Sequence, residues 1–322
     1  MLAHLLRRLG QSALVLLAVS LVSFMVFRHI GDPTVSLLGD DASIEERQAL
    51  TRSLGFDQPV PVQYLRYLGH ALQGDLGISY RLKRPVLEVI AERLPATLEL
   101  ALVAAVLAVV GGVALGVYTA IRREGLVSRA VMAVSLVGVS LPTFLVGIGL
   151  IYLFAVELRW LPSFGRGETV ALGGWNTGFL TASGWASLLL PAFTLGFYKL
   201  TLIMRLVRAE MLEVLRADYI RFARARGLPE RRIHYGHALR NTLIPVVTIT
   251  GLQIGSLIAF AIVTETVFQW PGVGLLFITS IQGVDVPVIA AYLLMIAVLY
   301  VCINLLVDVV YLLVDPRLRK RA

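Results

Sequence analysis

Cysteine, histidine and charge are all scarce in this 322-residue chain: one Cys, five His, and only 16% Asp, Glu, Lys and Arg. A single cysteine excludes an intrachain disulfide and every metal or redox motif built on paired cysteines, and Cys302, set in an apolar run, reads as a packing residue. The chain has no G-x-x-x-x-G-K-[ST], so it lacks the usual cradle for nucleotide phosphates. It has no H-E-x-x-H, no G-x-S-x-G and no clustered histidines. No catalytic residue, metal site or cofactor is therefore expected in this chain, and any ATP must be hydrolysed by a partner. Solenoid-length repeats and low-complexity stretches are also missing.

What the chain has in abundance is apolar sequence. Hydrophobic residues make up 57% of it, and the mean hydropathy of +0.78 is that of an integral membrane protein. A bilayer core about 30 Å thick needs about 20 apolar helical residues. Six runs qualify: Leu9 to Phe27, Ala96 to Ile121, Ala130 to Val156, Trp185 to Leu206, Thr242 to Val263 and Val286 to Val314. The first follows a basic start that mimics a secretory signal, but no small-x-small site closes it before Phe24 to Phe27, so it reads as an uncleaved helix.

The net charge of +8 is concentrated in a few loops, where membrane orientation explains it and nucleic-acid binding does not. One set of loops holds Arg7 and Arg8; Arg122, Arg123 and Arg129; eight arginines from Arg208 to Arg240; and Arg317, Arg319, Lys320 and Arg321. The short loops of the opposite set hold Arg159 and Arg166 in one case and no basic residue between Glu265 and Asp285 in the other. Both termini and the Arg-rich loop are expected on the cytoplasmic side of the bilayer. The layout predicted is residues 1–30 for the tail and first span, 31–94 for an external cap, 95–314 for the membrane core with a cytoplasmic loop at 207–241, and 315–322 for a basic tail.

The cap is expected to be folded. Ser43-Ile44-Glu45-Glu46 has capping-box spacing, with Gly55 as a stop. A second helix is predicted from Pro61 to Leu72, then a turn at Gly74-Asp75-Leu76-Gly77. Arg84-Pro85 opens a stretch that places Val86, Ile90 and Leu94 on one helical face. Gly112-x-x-x-Gly116 and Gly251-x-x-x-Gly255 predict close helix approach. Ionisable groups inside spans are costly, which singles out Glu99, Lys199, and Asn304 with Asp308. Structural roles are the stronger reading for each: Lys199 snorkels to the inner surface, Asp308 pairs with a cytoplasmic Arg, and Glu99 touches the outer interface. The buried acid chain of a proton-coupled carrier is missing, which counts against a secondary transporter, and the missing hydrolase motifs leave a membrane-embedded hydrolase little support.

The Arg-rich loop is the most specific feature. Glu210 to Ala225 favours helix, Gly227-Leu228-Pro229 ends it, and a second helix is predicted from Glu230 to about Arg240. Arginines alone would suit anionic lipid, whereas the order helix, glycine, helix, with Leu212, Leu215, Ile220, Phe222, Ala223 and Leu228 interspersed, suits protein docking. Ala223-Arg224-Ala225-Arg226-Gly227, followed nine residues later by His237-Ala238-Leu239-Arg240-Asn241, resembles the permease subunit of ATP-binding-cassette importers. Arg221-Phe222-Ala223 stands where the general pattern has Glu-Ala-Ala, which removes an acidic contact, and Leu239-Arg240 stands where it has Leu-Pro, with the proline delayed to Pro245. Both departures resemble the dipeptide, oligopeptide and nickel branch. Gly74 to Ser79, Arg93 to Leu100, Thr264 to Gly274 and Asn304 to Arg319 look like its B-type permease, so the resemblance covers nearly the whole chain.

The resemblance implies an all-α integral membrane protein with six transmembrane helices of the type I importer kind, a folded external loop between helices 1 and 2, and a coupling-helix loop between helices 4 and 5. It implies a second homologous permease, two ATP-binding-cassette ATPase subunits that carry ATP and Mg, an external solute-binding protein and the plasma (inner) membrane, with no nucleic acid. The solute implied is a di- or oligopeptide, with nickel chelates, glutathione or another small solute as the alternative. Coupling to the ATPase would fall to Arg221, Ala223, Arg224, Ala225, Arg226, Gly227 and Leu228, with Arg224 and Arg226 pairing to its acidic groups. Asp218, Tyr219, His237, Arg240 and Asn241 would support the loop. Glu99, Glu265, Trp270 and Asp285 are candidates for the pore or gate.

Overall fold

The computed structural model describes residues 2–29, 43–53 and 57–314. The chain divides into two compact units, Met1–Pro95 with Gly272–Val301, and Ala96–Pro271 with Cys302–Ala322.

In the first unit, α1 (Leu2–His29) is followed by α2 (Ile44–Ser53) and α3 (Val60–Leu72). The capping box at α2 forms in both directions: the Glu46 backbone N–H donates to Ser43 Oγ at 3.2 Å, and the Ser43 N–H donates to Glu46 Oε2 at 2.9 Å. Those bonds hold the Glu46 carboxyl below its ordinary range. Gly55 and the basic tail lie outside the described residues. Helix α3 lies on α1 through Ser20 to Tyr64 (2.7 Å) and Ser23 to Tyr67 (2.8 Å), with Phe24 edge-on to the Tyr64 ring. After the predicted turn, where Gly74 and Gly77 take positive φ, α4 begins at Val86 and runs to Val106. Val86 and Ile90 pack with Val273 of α11 (Val273–Gln282) and with Val288 and Ala291 of α12 (Val286–Val314).

Helix α4 is not confined to a cap. It continues through Pro95, a π turn at Leu107–Gly111 and α5 (Gly112–Ile121) as one 36-residue apolar helix. The second unit is built by α5 lying along α8 (Ala182–Val214). A Cβ on Gly116 would sit 2.6 Å from Val207 Cβ and 2.7 Å from the Met204 carbonyl, and one on Gly196 would sit 2.7 Å from the Ala104 carbonyl. The glycine spacing at 112 and 116 therefore does mark a close backbone approach. Gly251 of α10 (Leu239–Val267) likewise faces Val307 of α12.

Three features depart from the sequence reading. The run Ala130 to Val156 is two helices, α6 (Leu126–Ser140) and α7 (Thr143–Leu150, continued by a π segment to Glu157), bent by 118°. Pro142 forces the break: it lacks an N–H and pushes Leu141 to an extended backbone, φ −90° and ψ 138°. Each of the six predicted runs falls on helix: among the described residues four helices are long and apolar enough to cross a membrane, five with the bent pair, and the run Thr242 to Val263 lies within the 29-residue α10. The chain also carries a small antiparallel hairpin, β1 (Val170–Leu172) with β2 (Trp175–Thr177), in an otherwise helical fold. Finally, Cys302 is exposed on its unit instead of packed inside it.

Candidate functional site

The Arg-rich loop begins where α8 ends at Val214. Three residues of turn follow, and α9 (Asp218–Ala225) restarts the helix. Asp218 lies in its first turn, where a negative charge suits the helix N-terminus. One face is apolar: Ile220 and Ala223 are buried with Val207, Met211, Ile233 and Ala238. The end of α9 is a Schellman cap, with Gly227 at φ +75°. The Gly227 N–H donates to the Arg224 carbonyl at 2.9 Å and the Leu228 N–H to the Ala223 carbonyl at 3.3 Å, while Leu228 packs on the same apolar cluster. The predicted second helix is not separate. Arg232–Ala238 is a π segment that runs straight into α10.

Two polar ties fix α9 to that segment. Arg224 forks onto Glu230 across the cap, at 2.8 and 3.4 Å, and holds the Glu230 carboxyl below its ordinary range. Asn241 Nδ2 donates to the Tyr219 hydroxyl at 2.8 Å and to the His237 carbonyl at 3.2 Å. What α9 turns outward is a stripe at i, i+3 and i+7: Tyr219, Phe222 (64% exposed) and Arg226, whose guanidinium lies over the Phe222 ring at 5.6 Å. Arg221 reaches Asp218 loosely, at 3.4 Å, and Ala225, His237 and Arg240 are exposed.

A second polar cluster lies in the same unit. Glu99 of α4 is 2% exposed and accepts from Arg166 Nη2 at 2.6 Å, Trp175 Nε1 at 3.2 Å and the Gly178 N–H at 3.3 Å. Arg166 also donates to the Asn176 carbonyl at 2.6 Å and lies 6.0 Å from the Trp270 ring. It is held between Gly165 and Gly167, both at positive φ; a Cβ on Gly167 would sit 2.5 Å from the Ser183 carbonyl. Trp270 donates through Nε1 to the Ala96 carbonyl at 2.9 Å, and the fully buried Glu265 accepts from Thr97 at 2.5 Å. Asp285 belongs to the other unit. There it accepts from Ser79 Oγ (2.5 Å) and the Tyr80 N–H (3.0 Å), beside Val284 at φ +52°.

The family model of the binding-protein-dependent transport system inner membrane component matches residues 112–320, and the model of its N-terminal region matches residues 1–101. The chain belongs to this transport family. It is 41% identical to the di/tripeptide transport system permease protein of Pseudomonas aeruginosa, across 99% of both chains. It is 40% identical to the dipeptide transport system permease protein of Escherichia coli K12 across the full length of both. A probable D,D-dipeptide transport system permease of the same organism is 41% identical over 95% of this chain.

In this inner-membrane component several of the residues singled out by the sequence have partners within the chain. Arg224, expected to reach an ATPase, is engaged by Glu230 of its own chain. Glu99 does not touch an interface but is buried in an ion pair with Arg166, a residue the charge count had treated as an orientation signal. Lys199 does not snorkel; it is 8% exposed and donates to Gln253. The side chain of Asp308 lies outside the described residues. Phe222 was legible as the one large apolar residue two positions past Ile220, on the opposite side of the helix. Nothing in the sequence linked Glu99 to Trp175, because that contact depends on the hairpin.

Proposed function

We propose that this chain is one half of the translocation pore of an ATP-driven importer of di- and oligopeptides, driven through α9 by a separate ATPase. The carrying observation is the Schellman-capped α9: its inner face is locked into the core of its unit, while Tyr219, Phe222 and Arg226 stand outward. A short helix fastened this way transmits displacement to α8 and α10, because Ile220, Ala223 and Leu228 share one apolar cluster with Val207 and Val246. Phe222 and Tyr219 supply apolar contact for a groove on the ATPase, and Arg226 supplies the charge. Arg224 acts inside the loop. The ATP and Mg belong to the ATPase pair, which works with a second homologous permease and an external solute-binding protein in the plasma (inner) membrane. Both termini and α9 face the cytoplasm, as the arginine distribution favours.

Peptide as the solute is supported by 40–41% identity to relatives named as dipeptide or di/tripeptide permeases. The deciding experiment reconstitutes the whole transporter in proteoliposomes, with its binding protein and labelled dialanine on one face and ATP on the other. Uptake requiring ATP and indifferent to proton or sodium gradients is expected. Uptake driven by an ion gradient with this chain alone would make it a secondary carrier.

A further inference from the structure

Lys199 is a buried cation of α8 that the mechanism above leaves unused. Its side chain is 8% exposed, it donates to Gln253 Oε1, and it lies 5.5 Å from the Tyr198 ring and 6.0 Å from the Phe260 ring. Among the described residues no carboxylate forms an ion pair with it. An ammonium buried with one neutral oxygen and two ring faces is under-compensated, since an intramembrane charge is costly unless an anion or water neutralises it. A second polar group beside it is also unsatisfied: Thr250 is 5% exposed and its Oγ1 has no hydrogen-bond partner. Lys199, Gln253 and Thr250 line one cavity with Ala105 and Leu257.

That cavity, about 10 Å³, has room for about one water. Its walls Ala105 and Leu257 also line a second cavity of about 320 Å³, which extends along α4 through Leu102 and Leu98 to Glu99 and Trp175. The larger space is almost wholly apolar in its lining, and among the described residues that line it the charged one is Glu99, already committed to Arg166. An anionic end of a solute in that space therefore has the Lys199 ammonium, which among the described residues has no anionic partner, behind Ala105 and the side chain of Leu257. The donors available there are the Lys199 ammonium, the Thr250 hydroxyl and the Gln253 amide, a set that suits the two oxygens of a carboxylate.

We infer that Lys199, with Thr250 and Gln253, forms a transient site for the terminal carboxylate of the peptide as it passes through the second unit. The inference rests on the peptide reading above and adds the group that meets the solute. The test uses the whole reconstituted transporter with its binding protein, and dialanine and dialanine amide as the probes. Binding-protein affinity for each probe is measured separately, so that transport is compared at equal occupancy.

Lys199→Met should lower dialanine transport about tenfold or more, the usual scale for losing a charge-assisted contact. It should leave binding-protein-stimulated ATP hydrolysis within about twofold and transport of the amide nearly unchanged. Lys199→Arg should keep most activity, and Thr250→Val should give a smaller loss confined to the free acid. Equal losses for acid and amide, or wild-type transport by Lys199→Met, would overturn the inference and leave peptide import standing. A wild-type transporter that moves neither probe would overturn the peptide reading and this site with it.

Discussion

Glu99 and Arg166 show what one buried pair does at the residue scale. Each is too costly to bury alone, and each takes further partners from the hairpin region: Glu99 from Trp175 and Gly178, and Arg166 from the Asn176 carbonyl, which leaves Arg166 Nε buried without a hydrogen-bond partner among the described residues. Removing one partner strands the other charge, so Glu99→Gln should destabilise the folded protein by about 3–5 kcal/mol, whereas a Glu99→Leu, Arg166→Leu double substitution should recover most of that loss. Unfolding in detergent followed by tryptophan fluorescence measures both; a single-variant loss below about 1 kcal/mol would contradict the account. At Arg224 the argument runs differently, because the pair with Glu230 is exposed and weak. Its Glu230 carboxyl is held below the ordinary value, so whatever the pair adds is present above the unfolded carboxylate range and is lost as pH falls through the lowered native value. Arg224→Glu should cause a partial uptake defect, and adding Glu230→Arg should restore it. Failure of the charge swap to restore uptake would place the partner of Arg224 on another subunit.

At the scale of elements, α9 is ended by backbone geometry more than by any side chain. The left-handed conformation at Gly227 costs an L-residue with a Cβ about 1–2 kcal/mol, and Asn tolerates it better than Ala. The expected order of uptake is therefore Gly227 above Gly227→Asn above Gly227→Ala; equal rates for Asn and Ala would count against the cap. Gly116→Leu is a harsher change, since the backbone carbonyl of Met204 leaves no room, and the variant should fail to elute as a monodisperse species in detergent. The cap chemistry was legible in the sequence because it is local: Gly227-Leu228-Pro229 and Ser43 with Glu46 carry their own hydrogen-bonding instructions. The 118° break at Pro142 was readable in principle from the proline, but the apolar run on both sides masked it. The restart of helix at Asp218 was not legible, because Leu215, Arg216 and Ala217 are all good helix formers and only the burial of Ile220 and Ala223 turns the chain.

For the whole molecule, hydropathy and charge distribution were enough to mark a multi-span membrane protein, and the block at Ala223 to Asn241 was enough to mark the family. Neither could show that Lys199 is buried beside Gln253, or that Arg166 reaches Glu99, since both pairs join residues more than 50 positions apart. The central claim is that α9 carries the stroke of an ATPase into the pore. The most direct test is Gly227→Asp with Phe222→Asp as its companion, each measured for membrane insertion, ATPase co-purification and ATP-dependent peptide uptake in vesicles. The account predicts normal insertion with uptake abolished in Gly227→Asp and strongly reduced, with weakened ATPase co-purification, in Phe222→Asp. Uptake at the wild-type rate in both variants would contradict it.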